Sequence, residues 1–263
     1  MNRILPLPEK KQKLLHKAHL KKYRNQQNIY FGEGYRLLTS ALENSKIKIE
    51  DIILTDKVIT SEQGSLIVRT ASNQHIPIYR ASERQMRTIS TEVTPPGIFF
   101  TIAKKFKSTS ELQNLQEPVV VYLEQISDAG NLGTVLRSMV WFGIHTLILS
   151  PGCVEVYNPK AVRASAGALF SAEVFPDVSL AQAVALLKPQ GFSIAAAVTT
   201  GGLPLSAVRD RKRILLVFGS EAEGLSSAAL RLVDLKISIP SKSNMDSLNL
   251  AVSAGIMFYH FRA

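Results

Sequence analysis

Cysteine is almost missing from this chain: Cys153 stands alone among 263 residues. A lone cysteine excludes an internal disulfide and fits a reducing compartment, so a cytoplasmic location is expected. Long apolar runs are missing as well. No stretch approaches the roughly 20 residues of a membrane-spanning helix, and the lysine-rich N-terminus is not followed by an apolar export segment. No membrane association is expected. The five histidines, at 16, 19, 75, 145 and 260, are scattered, and no Cys/His spacing resembles a metal site, so no metal is expected. Acidic residues are scarce in one part of the chain only. Residues 1–107 hold 19 Lys/Arg against 9 Asp/Glu, whereas residues 108–263 hold 12 of each, so the net charge of +10 lies entirely in the first part. A basic region beside a neutral one points to a polyanion, RNA or DNA, as partner.

What is present describes a globular α/β protein. Hydrophobic residues make up 46% of the chain, enough at this length for one large core or two small ones. Residues 9–24, EKKQKLLHKAHLKKYR, are expected as a strongly basic helix. YFGEGYRLLTSAL places Leu37, Leu38, Ala41 and Leu42 on one helical face. DIILT (51–55), IPIYR (76–80) and GIFFTIA (97–103) read as short strands, and SERQMRTI (82–89) as a short helix. Residues 108–118 are polar, close on Pro118, and are expected as a linker. From Val119 strand and helix alternate: VVVYL (119–123), helix 131–142, HTLIL (145–149), helix 159–168, helix 179–188, FSIAAAV (192–198), ILLVFG (214–219), helix 226–232, strand 234–239 and a last helix from Ser247. That order argues for a parallel sheet covered by helices.

Three stretches in this second part carry site character. In EQISDAGNLGTVLR (124–137) a strand end, two glycines and a helix start bring backbone close to a ligand. A dinucleotide fingerprint fails here, because its third glycine is absent and the next strand ends in Ser150–Pro151 instead of an acidic residue. Arg137 follows Asn131 by nearly two helical turns; a helical arginine is more often a solvated surface residue than part of a site. In FGSEAEGLS (218–226), Gly219 and Gly224 bracket Glu221 and Glu223, which as loop residues also suit the positive end of the next helix. In IPSKSNMDSLNL (239–250), Ser247 and Asn249 sit where an apolar helix opens.

Taken together, N-x-G-x-x-x-R (131–137), F-G-S-E-x-E-G-L (218–225) and I-P…S-L-N (239–249) occur in order, each at a strand's C-terminal end. The chain resembles the SpoU/TrmH family (SPOUT superfamily) of S-adenosylmethionine-dependent RNA ribose 2′-O-methyltransferases. NPKAVRASAGALF (158–170) resembles a segment that family carries between its first two motifs, while YFGEGYRLL and TEVTPPGI resemble the substrate-binding domain of its rRNA-modifying members. The chain departs from the family pattern at Ala129, where proline is usual, at Pro96, and at Asn244 and Asp246 in the loop before S-L-N.

The resemblance implies a small basic α/β RNA-binding domain (1–107), the linker (108–118) and a methyltransferase domain (119–263) with a deep trefoil knot. It implies a homodimer whose partner completes the site, S-adenosylmethionine held by Gly219, Ile239 and Leu248, and a polar set of Asn131, Arg137, Glu221, Ser247 and Asn249. RNA is the implied substrate, with rRNA, 23S above all, preferred over tRNA; a non-catalytic RNA-binding protein of the same fold is the competing reading. A ribose 2′-OH must lose its proton as it attacks a donor methyl. Arginine stays protonated in proteins, so Arg137 is expected to hold an RNA phosphate and the developing alkoxide instead of acting as base. Asn131, Ser247 and Asn249 would orient it and the ribose, and Glu221 would fix the loop.

Overall fold

The computed structural model describes residues 4–208, 213–242 and 246–262, and these form two compact units. The first comprises residues 1–105 and 157–170, the second 106–156 and 171–263.

The first unit runs β1 (Leu5–Pro6), α1 (Glu9–Lys17), α2 (Lys21–Gln27), β2 (Ile29–Glu33), α3 (Tyr35–Glu43), β3 (Ile49–Thr55), α4 (Asp56–Ile59), α5 (Glu62–Asn73), β4 (Ile78–Ala81), α6 (Glu83–Ile89) and β5 (Ile98–Ala103). Its five strands lie in the order β1-β4-β3-β5-β2, with β5 antiparallel to both neighbours. Leu38, Ala41 and Leu42 are buried on α3, as their spacing predicts. The single basic helix expected over 9–24 is two, broken at buried Ala18. The reason is Arg24, whose guanidinium is buried and donates to the carbonyls of Ala18 and His19 at 2.9 and 2.8 Å. A cation there meets the partial negative charge at the end of α1. Arg24 is therefore not part of a solvated basic face.

The second unit begins earlier than expected. Residues 109–114 form a 3-10 turn, and Leu112 and Leu115 are buried in the second unit's core, so the polar composition of 108–118 hides a docked segment. There follow β6 (Val119–Leu123), α7 (Ala129–Trp141) and β7 (Thr146–Leu149). The chain then contributes α8 (Pro159–Ser165) to the first unit. It continues with β8 (Glu173–Phe175), α9 (Leu180–Leu187), β9 (Ser193–Ala197), β10 (Leu203–Pro204), β11 (Ile214–Phe218), α10 (Ser227–Leu230), β12 (Leu235–Ser238) and α11 (Leu250–Phe261). All seven strands are parallel, in the order β10-β12-β9-β11-β6-β7-β8. Every residue of β6, β7 and β11 is buried, which is why these strands read as unbroken apolar runs. The short β8 and β10 carry no such run and are not evident from sequence. Because β6 and β11 are neighbours, Phe218 registers with Leu123, and the loops leaving both strands emerge side by side. That edge, at the carboxyl ends of parallel strands, is where ligands bind in open α/β sheets.

Candidate active site

Three loops leave this edge, after β6, β11 and β12, and side-chain hydrogen bonds stitch them together. Asp128 caps α7 by accepting from the Asn131 N–H at 2.8 Å, which sets Asn131 in the first helical turn. The Asn131 amide donates to the Glu221 carboxylate in the loop after β11. The Asn249 amide in turn donates to Asn131 Oδ1 at 3.1 Å. Asn249 Oδ1 accepts from the N–H groups of Ala251 and Val252 at 2.9 and 3.4 Å, making this residue the cap of α11. The last helix therefore starts at Leu250 and not at Ser247, because Asn249 supplies the cap that ends the loop.

Beside this chain of amides lies a cavity of about 680 Å³. Gly219, Glu221, Ile239, Ser247 and Leu248 line it together. Its volume falls within the range of about 300–1,000 Å³ that suits a drug-sized ligand. Phe218, Leu225 and Met257 make its wall partly apolar. Gly219 is required by close packing: a Cβ there would lie 2.2 Å from the Gly224 carbonyl. Ser220 and Gly224 exchange backbone hydrogen bonds at 3.0 and 2.8 Å, and Gly224 takes φ +68°, so the loop closes into a tight turn. A hollow of this size with a mixed polar and apolar lining has room for a nucleoside-sized ligand.

Two features of the site were not foreseen from sequence. Thr199 and Thr200, after β9, line the cavity; the only signal was that another parallel strand ends there. Glu124, at the end of β6, accepts from both the N–H and the hydroxyl of Ser226, each at 2.9 Å. Ser226 also caps α10, so Glu124 anchors the exit of the 219–226 loop. Just before it, Tyr122 is buried. Burial foremost, then the Glu124 carboxylate, pushes its phenol above the ordinary tyrosine range. It stays protonated and donates to the Val178 carbonyl at 3.2 Å.

Arg137 stands apart from the amide chain. It is exposed on α7, and among the described residues nothing hydrogen-bonds or ion-pairs with its guanidinium. Of the departures noted in sequence, Asp246 lines the cavity and Asn244 lies outside the described residues. Among the described residues no group of three or more His, Cys, Asp or Glu could hold a metal ion, and no helix is long and apolar enough to cross a membrane.

Residues 118–259 match the model of the SpoU rRNA methylase family. The chain belongs to the SpoU rRNA methylase family. Residues 10–99 match the MRM3-like substrate binding domain. Over its whole length the methylase is 28% identical to the 23S rRNA (guanosine(2553)-2′-O)-methyltransferase RlmP of Bacillus subtilis, covering all of both chains. The structure of a putative RNA methyltransferase of the TrmH family from Porphyromonas gingivalis superposes with a TM-score of 0.82 at 25% identity, covering 97% of this chain and 98% of that one. An AdoMet-bound rRNA methyltransferase from Sinorhizobium meliloti shares the fold, with a TM-score of 0.86 at 21% identity over 98% and 95% of the two chains.

Proposed function

We propose that this methylase transfers a methyl group from S-adenosylmethionine to a ribose 2′-hydroxyl of structured RNA, 23S rRNA foremost. The observation that carries the reading is the Asn249–Asn131–Glu221 hydrogen-bonded chain beside a cavity lined by Gly219, Ile239 and Leu248. The sulfonium supplies an already activated methyl, which leaves positioning and proton removal to the protein. Gly219, Ile239 and Leu248 hold the donor through main-chain groups. Glu221, fixed by Asn131, keeps the loop shaped, and Ser247 and Asn249 orient the ribose. Arg137 binds an RNA phosphate and steadies the developing alkoxide, a role that a permanently charged, unpaired guanidinium suits.

The site is completed by a second copy. Trp141 on α7 is 82% exposed, and Val252, Ile256 and Tyr259 form an exposed apolar stripe on α11, which packs against α7. Residues four apart share a helical face, so Arg137 lies beside Trp141. Covering this face with its counterpart in a homodimer would bring Arg137 toward the partner's site. The trefoil knot belongs to the same proposal; the late strands β11 and β12 inserting between earlier ones support it. Pulling the chain from its ends should then yield a shorter final length than an unknotted chain of this size. A cytoplasmic location, supported by the lone Cys153 thiol, is checked by cell fractionation.

The test is to map 2′-O-methyl sites in total RNA with and without the gene, and to assay Arg137 variants. One 23S rRNA site should vanish without the protein. Arg137→Ala should lower kcat roughly 100- to 1,000-fold, the cost of losing a charge-stabilising donor, and Arg137→Lys should restore only part of it. A lost tRNA site would move the substrate, and wild-type rates in both variants would remove Arg137 from the reaction.

A further inference from the structure

The loop Ser90–Pro96 of the first unit is built more firmly than an exposed connection needs. The Glu33 carboxylate, at the end of β2, accepts from the Ser90 hydroxyl, from the Thr91 N–H at 2.9 Å and from the Thr91 hydroxyl at 2.7 Å. Ser90 Oγ accepts from the Glu92 N–H at 3.0 Å. Glu92 pairs with Arg163 of α8, in the NPKAVRASAGALF segment. The other end of the loop is stiffened by Pro95 and Pro96, and Pro96 lies against Gly34, where a Cβ would come within 3.9 Å of its ring.

At the tip of this pinned loop Val93 is fully exposed. A lone exposed valine is ordinary on a protein surface. This one sits on a rigid mount, and the charges around it are sorted. Both nearby carboxylates are engaged, Glu33 by hydroxyls and an N–H, Glu92 by Arg163. The cations bordering the loop are not: Arg36, two residues after Gly34, and Arg87, in the last turn of α6, are exposed, and among the described residues neither has an ion-pair partner. Elsewhere in the unit some exposed cations are ion-paired, as in Lys13–Glu9, Lys48–Glu50 and Arg80–Asp56. Others, such as Lys21 and Lys22 on α2, have no such partner among the described residues, but none of those borders a fixed apolar tip. A fixed apolar tip flanked by free arginines is complementary to an unpaired nucleotide, with Val93 and Pro96 against the base or sugar and the arginines on phosphates.

We propose that the Val93 loop, with Arg36 and Arg87, is the surface through which the first unit grips an unpaired nucleotide of its RNA. This rests on the reading that the methylase acts on RNA. It also explains why the NPKAVRASAGALF segment packs here, since Arg163 neutralises Glu92, which would otherwise repel the RNA backbone.

The test uses full-length protein and unmodified 23S rRNA transcript. Arg36→Ala should weaken binding roughly tenfold at low salt and reduce the salt slope by about one. Val93→Asp should weaken binding at least as much. Donor affinity by calorimetry and melting temperature should stay at wild-type values in both. The rival surface is α2, tested with Lys21→Ala/Lys22→Ala. If that variant loses RNA while Arg36→Ala and Val93→Asp bind as wild type, the loop proposal is overturned and the RNA reading stands. If the wild-type protein binds the transcript no better than a polyanion such as heparin, both fall.

Discussion

Gly219 has no room for a side chain. A methyl there would meet the Gly224 carbonyl at 2.2 Å and the Leu225 nitrogen at 2.4 Å, backbone atoms that cannot rotate away. Gly219→Ala must push the loop outward, and overpacking of this kind costs about 1–3 kcal/mol. That cost falls on folding stability and should lower the melting temperature, while the displaced loop reshapes the cavity and should raise the donor Kd measured by calorimetry, with circular dichroism unchanged. Wild-type affinity would show that this loop does not touch the donor. Arg24 illustrates the opposite case at the same scale: its burial was invisible in a run of lysines, because only the chain's turn at Ala18 offers its guanidinium two carbonyls.

At the scale of elements, the 219–226 loop is held at both ends, by the Ser220–Gly224 turn and by Glu124. Glu124 is a positioning residue: it touches Ser226, not the cavity. Glu124→Ala and Ser226→Ala should each raise the donor KM with a smaller effect on kcat. The double variant should be about as impaired as either single one, a coupling of about 1 kcal/mol. Additive losses would mean that the two residues act separately. This anchor went unread in the sequence because Glu124 and Ser226 are far apart in the chain and only the pairing of β6 with β11 brings them together. The caps on Asn158 and Asp128, by contrast, are local. Pro159, directly after Asn158, marks that helix start in the sequence itself.

At the scale of the whole molecule, Val252, Ile256 and Tyr259 on α11, with Trp141 on α7, form an exposed apolar surface of the second unit. If a second copy covers it, Tyr259→Asp/Val252→Asp should convert a dimer to a monomer in analytical ultracentrifugation. That variant should also lose methyl transfer while each monomer keeps its fold. A wild-type protein that sediments as a monomer at micromolar concentration would end the dimer proposal.

Local physics alone decided a good deal of this protein. Apolar runs set the buried parallel strands, glycines marked where backbone must approach backbone, and the charge imbalance marked the basic part. Motif order then identified the family, because three short stretches at strand ends are a far narrower pattern than any one of them. Tertiary structure decided what depends on neighbours distant in the chain. The polar segment 108–118 is docked by Leu112 and Leu115, and residues 157–170 belong with the first unit. The Asn131 amide reaches Glu221 and Asn249, whereas Arg137, on the same helix, meets none of them. Spacing along a helix tells which residues share a face, but what that face meets is set by the order in which strands pair.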